Sequence, residues 1–332
     1  MKHVFVFSVL LLLVTGCDRS STSSEPGALP ETVRVGYFAN LTHAQAVVGV
    51  ANGDFAKAFA PATLETKVFN AGPSVIEAMF AGELDIAYIG PGPATNGFVR
   101  SNGVGLRVIS GASANGVAIV ARPGSGIQTM ADLKGKKIAT PQHANTQDIA
   151  ARSYLIETLK QPDASNVVPV SNAEQLSLMS QGQIDASWAP EPWASRLIEE
   201  AGATLVAEEK DLYASKQFTI GLVIVTPEFL KSHPDLVERF LTAHVALTRR
   251  LAMNEPQVSK ELGDGMFALT GKRLTPTVFK DAVGRILFTT DPLPESITAQ
   301  AKSAVGLKFL PREPDVSQMI DLSILNRIGS RP

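Results

Sequence analysis

The stretch Asp85-Ile86-Ala87-Tyr88-Ile89-Gly90-Pro91 decides the fold, because it has a counterpart one hundred positions later, Asp185-Ala186-Ser187-Trp188-Ala189-Pro190-Glu191. Flanking residues keep the same offset: Met79 matches Met179, Gly82 matches Gly182, Ala94 matches Ala194, and His43-Ala44 matches His143-Ala144. The similarity runs from about residue 33 to 95 and again from about 133 to 195. We interpret this as one architectural unit that the chain uses twice.

Each copy alternates apolar segments, polar turns and helical patterns in the order βαβαβ. Val33 to Phe38 alternates as a strand should, and a helical pattern follows from Ala44 to Asn52. Such an order favours a right-handed parallel sheet layered by helices. Ligands of such sheets bind where loops leave the carboxyl ends of the strands. Both repeated turns are such loops, so the sequence predicts two lobes that face one cleft.

The predicted fold is therefore α/β and two-lobed, with a mostly parallel sheet layered by helices in each lobe and two hinge crossings. Small residues place the first crossing near residues 111–122, and the β-rich run 218–225 is the predicted second crossing. Lobe 1 is predicted to comprise residues 33–115 and 224–332, and lobe 2 residues 116–223. The helical patterns after residue 226 are expected to complete lobe 1.

The first residues resemble a bacterial lipoprotein leader. The run Val4 to Val14 is apolar apart from Ser8, which suits the core of a signal peptide. It ends in Leu13-Val14-Thr15-Gly16-Cys17, which is similar to a lipobox and predicts lipidation of Cys17 after removal of residues 1–16. An ordinary secretory signal is the alternative. Residues 17–32 are predicted to form a flexible tether to the membrane, and Asp18 resembles an inner-membrane retention signal that keeps the protein facing the periplasm.

Composition limits the remaining possibilities. The net charge is −2 and the hydrophobic fraction is 45%, so no nucleic-acid partner is expected, since that would require a basic surface. Cys17 is the single cysteine of the chain, which excludes disulfides within it and a thiol nucleophile in the fold. A monomeric globular body without a cofactor is the expectation.

The candidate binding loops combine glycine, proline and neutral polar residues. Gly72-Pro73 and Gly90-Pro91 precede helical patterns, and such starts leave backbone N–H groups free for an anion or a carbonyl oxygen. Lys and Arg are absent from all candidate loops, namely 36–46, 70–76, 88–97, 140–148 and 187–195. An anion there would rely on helix N-termini and neutral polar side chains.

Several segments together resemble the nitrate/sulfonate/taurine family of substrate-binding proteins of ABC importers. They are Ala131-Asp132-Leu133-Lys134-Gly135-Lys136-Lys137-Ile138, Asn145-Thr146-Gln147-Asp148, Ala189-Pro190-Glu191-Pro192-Trp193-Ala194, Thr42-His43-Ala44-Gln45 and Gly82-Glu83-Leu84-Asp85-Ile86-Ala87. The resemblance covers nearly the whole chain after the leader. It implies a type II periplasmic-binding-protein fold that closes on a small solute and delivers it to permease transmembrane subunits.

The predicted ligand contacts are Tyr37, Asn40, His43, Gly72, Ser74, Tyr88, Gly90, Pro91, Asn145, Thr146, Gln147, Trp188 and Glu191. A sulfonate, taurine or nitrate is the first expectation, and a pyrimidine, riboflavin or an aminophosphonate is the alternative. Glu191 near the site, with three flanking aromatic residues, favours a zwitterion or a nitrogen-containing ring over nitrate. Structural roles remain open: a first-turn helix acid for Glu191, a core position for Trp188 and a helix cap for His43.

An enzyme on the same fold is the rival function from another class. The sequence contains no His-x-x-His pair and no His-rich loop, so no metal site is predicted. It also lacks a Gly-x-Ser-x-Gly elbow and a phosphate-binding lysine motif. Catalysis is therefore not expected. A sensory receptor is disfavoured because no kinase or DNA-binding segment accompanies the lobes.

Overall fold

The computed structural model describes residues 29–329. The predicted leader, Cys17 and most of the tether lie outside the described residues, as do residues 330–332. Within residues 29–329, eleven strands form two sheets. They are β1 (Thr32–Phe38), β2 (Thr63–Phe69), β3 (Ile86–Ile89), β4 (Arg107–Asn115), β5 (Val117–Ala121), β6 (Ile138–Thr140), β7 (Val167–Pro169), β8 (Ala186–Pro190), β9 (Thr204–Glu208), β10 (Thr219–Val225) and β11 (Ile286–Phe288).

Helices cover both faces of the sheets. In the described range they are α1 (Ala44–Ala51), α2 (Asp54–Phe59), α3 (Gly72–Phe80), α4 (Pro91–Arg100), α5 (Thr146–Ser153), α6 (Asn172–Ser180), α7 (Trp193–Ala201), α8 (Pro227–Ser232), α9 (Pro234–Ala252), α10 (Pro256–Thr270), α11 (Pro276–Gly284), α12 (Pro294–Gly306), α13 (Val316–Met319) and α14 (Ser323–Gly329). None of these helices is both long enough and apolar enough to cross a membrane.

The two copies of the repeat fold into matching elements at the predicted offset. Helix α3 begins at Gly72 and α6 at Asn172, and strand β3 begins at Ile86 and β8 at Ala186. The first sheet has the order β11-β4-β10-β3-β1-β2, and the second has the order β7-β6-β8-β5-β9. The two-lobed α/β architecture is confirmed.

Alternation along the strands creates a separate core on each face of both sheets. In β3, Ile86 and Tyr88 pack into one core, whereas Ala87 and Ile89 pack into the other. In β8, Trp188 packs on one face and Ala189 on the opposite face. Successive strand residues point to opposite faces, so a strand covered by helices on both faces is apolar at every position.

Both sheets are mixed in direction, and the crossings explain why. β1, β2 and β3 run parallel, as do β6, β7 and β8, with their carboxyl ends toward the cleft. A chain that arrives from the other lobe enters at the cleft and must run away from it. Accordingly, β5 is antiparallel to β8, and β10 is antiparallel to β3 and β4.

The first crossing lies at Asn115-Gly116, between β4 and β5. Both residues have positive φ, 61° and 72°, a conformation that glycine tolerates best. The second crossing leads into β10, which pairs with the first sheet from Thr219 onward. Residues 219–223, which the sequence places in lobe 2, are therefore part of the first sheet, although Ile220 packs into the core of lobe 2.

Candidate ligand-binding site

A small cavity lies between the lobes where the loops after the parallel strands meet. Its volume is about 20 Å³, slightly more than one water molecule requires. Its polar lining residues are Asn40, Thr42, His43, Asn70, Asn145, Thr146, Gln147 and Asn172. The rest of the lining consists of Phe38, Ala71, Gly72, Gly90, Pro93, Pro141, Pro190 and Ile220. Both lobes contribute, so the space depends on their relative position.

About half of the predicted contacts lie in this lining. The structure brings together Asn40, His43, Gly72, Gly90, Asn145, Thr146 and Gln147. It places Tyr37, Ser74, Tyr88, Pro91, Trp188 and Glu191 outside the lining. Asn172 also lines the cavity but was not predicted from the sequence, although the repeat could have identified it as the counterpart of Gly72 at the offset of one hundred.

None of the lining residues carries a charged group at neutral pH. What the cavity does have is helix starts: α3 begins at Gly72, α5 at Thr146 and α6 at Asn172, all in the lining, and Gly90 is the N-cap of α4. The first N–H groups of a helix have no partner within it, and the helix dipole adds partial positive charge there. The cavity is therefore electropositive without a cation, a property suited to small anions.

His43 is a neutral donor in this cavity. Its Nδ1 accepts a hydrogen bond from the Phe38 N–H at 3.2 Å, and the ring stacks on Phe38 with centroids 4.3 Å apart. Burial lowers the pKa of His43 to about 3, so the ring is uncharged at physiological pH. Because Nδ1 is an acceptor, the proton of the neutral ring resides on Nε2.

Neighbouring contacts also orient the lining amides as donors. Asn40 Oδ1 accepts from Trp193 Nε1 at 2.8 Å, which leaves the Asn40 amide nitrogen available. Asn145 Oδ1 accepts from the Asp148 N–H at 2.8 Å, and its Nδ2 donates to Gln147 Oε1 at 2.9 Å. Gln147 is thus left with its own Nε2 as a donor. Asn145 is the N-cap of α5, and this role fixes the orientation of its own carboxamide beside Gln147.

The lobes touch each other directly beside the cavity. Gly92 N–H of lobe 1 donates to Thr146 Oγ1 of lobe 2 at 3.3 Å. A methyl group at Gly90 would overlap the same Thr146 hydroxyl. The Leu41 N–H donates across the cleft to the Glu191 carbonyl at 3.0 Å. The structure is therefore a closed conformation, in which glycine at position 90 permits close approach.

Tyr37 and Tyr88 lie in the core of lobe 1 rather than in the cleft. Tyr88 is completely buried, and its hydroxyl lies 2.8 Å from His244 Nδ1. His244 Nε2 in turn lies 2.9 Å from the Gly111 carbonyl oxygen. Both tyrosines alternate with residues of the opposite face, and their own face is covered by helices. The two tyrosines were predicted to contact the ligand, but they pack in the same core as residues of α9.

Trp188 lies in the core of lobe 2, the alternative considered from the sequence. Its Nε1 donates to Glu209 Oε2 at 2.6 Å, and Tyr213 donates to the other oxygen at 3.4 Å. Burial raises the pKa of Glu209 to about 7, an effect that these two hydrogen bonds only partly offset. Trp188 therefore serves to satisfy a buried acid and does not reach the cavity.

We expect Glu209→Gln to stabilise the protein at alkaline pH. The unfolded chain releases this proton near pH 4.5, so the stability that the protonated acid contributes below that pH is lost as pH rises through about 7. Gln keeps an acceptor for Trp188 without a charge. The gain at pH 8 is on the order of 3 kcal/mol, and calorimetry at pH 4.5 should show little difference. The exposed variant Glu295→Gln is the control. The expectation would be contradicted if Glu209→Gln and Glu295→Gln had the same melting temperature at pH 8 as well as at pH 4.5.

Glu191 is bound to protein partners and is not available to a ligand. Its carboxylate accepts from Ser195 N at 3.1 Å, from Ser195 Oγ at 3.0 Å and from Arg285 Nη1 at 2.9 Å. Its side chain is fully buried, and burial raises its pKa despite the adjacent Arg285. The preference for an amine-bearing ligand rested on this acid, so that preference loses its basis.

Metal-ligand geometry is not found in the part of the chain that the structure describes. No group of three or more His, Cys, Asp or Glu side chains in residues 29–329 could hold a metal ion. Of these four residue types, the cavity lining contains one histidine, His43. The polar groups that line the cavity are hydroxyl, carboxamide and imidazole groups, which form hydrogen bonds.

Comparison with known proteins finds similarity to binding proteins. A family model described as the NMT1-like family matches residues 27–262. A protein of Bacillus subtilis (strain 168), provisionally named for binding aliphatic sulfonates, is 28% identical over 248 residues, which are 72% of this chain and 71% of that protein. The taurine-binding periplasmic protein of Escherichia coli (strain K12) is 24% identical over 268 residues, 79% of each chain.

Solved structures share the fold. The alkanesulfonate-binding protein of Xanthomonas axonopodis pv. citri, solved with MOPS bound, matches with a TM-score of 0.74 and 21% identity, covering 89% of this chain and 99% of that one. The type II periplasmic-binding-protein fold is thereby confirmed, and so is the resemblance to binding proteins of the nitrate, sulfonate and taurine type. Because the family model matches well over half of the sequence, the chain belongs to the NMT1-like family.

Proposed function

We propose that this protein is the substrate-binding component of an ABC importer and that it captures a small oxyanion of the sulfonate class between its lobes. The observation that supports this most strongly is the closed, uncharged cavity surrounded by four helix starts. Helix N-termini and N–H donors hold oxyanions without a cation. The names of the relatives, which refer to aliphatic sulfonates and taurine, support the same ligand class.

The size of the cavity favours a compact head group. The closed cavity of about 20 Å³ holds little more than one water molecule, so any ligand must hold the lobes slightly further apart, and a compact head group requires the smallest separation. Riboflavin and pyrimidines would require a wider separation of the lobes than a short sulfonate, and a wide separation would break the contact between Gly92 and Thr146. A sulfonate head with a short substituent is therefore the proposed ligand, and the heterocycles are the less suitable alternative.

Attachment to the membrane and delivery to the permease are also part of the proposal. The lipobox-like segment ending at Cys17 supports a lipid anchor on the periplasmic face. The two-lobed closure supports delivery, because a permease could distinguish the closed from the open form. Labelling cells with a palmitate analogue tests the anchor: the intact protein should be labelled, and Cys17→Ser should not.

A thermal-shift panel tests the ligand class. A ligand that binds only the folded state at one hundred times its Kd stabilises by about 2.7 kcal/mol. Ethanesulfonate or taurine should raise the melting temperature, and hydroxymethylpyrimidine and riboflavin should not. Thr146→Val, which removes the cavity hydroxyl, should reduce the shift, whereas Thr298→Val on α12 should preserve it. Stabilisation by the heterocycles alone would overturn the proposal.

Binding of a sulfonate should be nearly independent of pH between 5.5 and 8.5. The titratable group in the lining is His43, and its pKa of about 3 keeps it neutral over this whole range. Sulfonates also remain ionised over this range, so neither partner changes charge. Isothermal titration at the two ends of the range checks this. A tenfold change in Kd would mean that a titrating group outside the described cavity controls binding.

Simple binding without catalysis is the proposed chemistry. The cavity presents donors, while its histidine is fixed as the Nε2 tautomer by the Phe38 N–H and has too low a pKa to act as a base near neutrality. Incubating the protein with a bound sulfonate and recovering the ligand by mass spectrometry tests this. Recovery of a chemically altered ligand would favour the enzyme alternative.

A further inference from the structure

The carboxamide of Asn172 has an unused acceptor at the cavity. Among the described residues, four buried side-chain polar atoms lack a hydrogen-bond partner, and Asn172 Oδ1 is the one that belongs to a cavity-lining residue. Asn172 is only 7% exposed. A buried carbonyl without a partner is costly, and each such group in a native structure calls for an explanation. A donor on the bound ligand supplies one.

No polar group of the cavity lining donates a hydrogen bond to Asn172 Oδ1 in this structure. The His43 ring, the Asn40 amide and the Gln147 amide are each oriented by their own partners as donors toward the cavity. These groups match the oxygens of an anionic head. The cavity thus combines donors for an oxyanion with the unpaired Asn172 acceptor, which can serve a different group of the same ligand.

The position of Asn172 in the repeat supports a ligand role. It is the first residue of α6, and its counterpart in lobe 1, Gly72, is the first residue of α3. A side chain at Gly72 would overlap Pro93, so the lobe 1 copy presents bare backbone. The two helix starts therefore face one cavity with different chemistry, N–H groups from one and a carboxamide from the other.

The charge of the cavity selects the kind of donor. An ammonium group would be buried here without a carboxylate, since Glu191 is bound to Ser195 and Arg285. Burying an unpaired charge is far more costly than burying a hydroxyl that forms a hydrogen bond. A neutral O–H donor therefore fits the Asn172 carbonyl better than an amine.

We propose that Asn172 is a specificity-determining residue that accepts a hydrogen bond from a hydroxyl group of the ligand, so that the preferred solute is a short hydroxyalkanesulfonate. This inference rests on the proposed sulfonate function and narrows it. The matched probes are 2-hydroxyethanesulfonate, ethanesulfonate and taurine, which share the head group and the two-carbon chain. They differ in having a hydroxyl, a hydrogen or an ammonium at the far end.

Isothermal titration of the intact folded protein with the three probes tests the inference. We expect 2-hydroxyethanesulfonate to bind about tenfold more tightly than ethanesulfonate, and taurine to bind no better than ethanesulfonate. In Asn172→Leu, in which the new side chain is similar in size, the ratio of the Kd values for ethanesulfonate and 2-hydroxyethanesulfonate should fall to nearly one. Asn172→Asp should weaken ethanesulfonate and shift the preference toward taurine, because the new carboxylate can neutralise an ammonium.

Gln142→Leu is the matched control. Gln142 Oε1 also lacks a partner, but Gln142 is not in the cavity lining, so this variant should keep the preference of the natural protein. Circular dichroism confirms that each variant is folded. Equal affinity of the natural protein for ethanesulfonate and 2-hydroxyethanesulfonate overturns this inference alone. Unchanged discrimination in folded Asn172→Leu does the same. Binding of none of the three sulfonates overturns the proposed function together with it.

Discussion

Arg285→Met is expected to lower the free energy of unfolding by about 3–5 kcal/mol at pH 7.5, because it leaves a buried carboxylate without its cation. Arg285 follows α11 in lobe 1, and its Nη1 lies 2.9 Å from Glu191 Oε1 and 2.8 Å from Ser195 Oγ of lobe 2. Glu191 is fully buried and Arg285 is 15% exposed. Urea denaturation of the natural protein and the variant measures the difference.

The double variant Arg285→Met/Glu191→Gln separates loss of the ion pair from loss of packing. It should recover much of the stability, because no buried charge remains. The pH dependence is a second check. Burial raises the pKa of Glu191 and Arg285 opposes this, so without Arg285 the acid should protonate more readily in the folded state. Protonated Glu191 contributes stability that is lost as pH rises, hence the defect of Arg285→Met should be smaller at pH 4.5. An equal defect at both pH values would contradict this explanation.

Gly90→Ala is expected to weaken ligand binding by about 5- to 150-fold, the equivalent of 1–3 kcal/mol of overpacking. The added methyl group would overlap Thr146 Oγ1 across the cleft, so the lobes could not close completely. The open form should tolerate alanine, because Gly90 has φ −76° and ψ 156°, an ordinary extended conformation. Isothermal titration with the sulfonate that binds the natural protein measures the loss.

Gly284→Ala is the control for this variant, because a methyl group there meets nothing within 4 Å. It should bind like the natural protein. Small-angle scattering in the presence of ligand should show a larger radius of gyration for Gly90→Ala than for Gly284→Ala. If Gly90→Ala keeps full affinity, Thr146 can turn away at little cost, and close approach at this position does not limit closure.

The sequence predicted the parts of the fold and site that depend on local patterns. The repeated turn at Asp85 and Asp185 predicted two equivalent lobes, and Gly72 and Gly90 predicted helix starts that line the cleft. The absence of Lys and Arg from the loops predicted a cavity without a cation, although Glu191 was wrongly expected beside the ligand. These features can be read from the residues themselves and from their spacing in the chain. Glycine and proline, for example, affect the backbone only within a few residues.

Features that depend on distant partners could not be predicted in this way. Tyr88 and Trp188 follow the strand pattern, but their burial depends on His244 of α9 and on Glu209, which lie 156 and 21 residues further along the chain. Glu191 looked like a ligand contact because its partner Arg285 is 94 residues away. The second boundary was misplaced because an apolar run such as β10 suits either sheet until its pairing is known.

The difference between the helix starts at Gly72 and Asn172 has a consequence for how the ligand specificity of such a protein can change during evolution. Pro93 leaves no room for a side chain at position 72, so the copy in lobe 1 presents only backbone groups there. Position 172 carries no such restriction and already bears a side chain. The two copies of the repeat can therefore have different roles under the proposed function. The copy in lobe 1 would bind the anion through backbone N–H groups, and the side chain at position 172 of lobe 2 would be free to vary. A single replacement at the variable half could redirect uptake to a new nutrient without rebuilding the module.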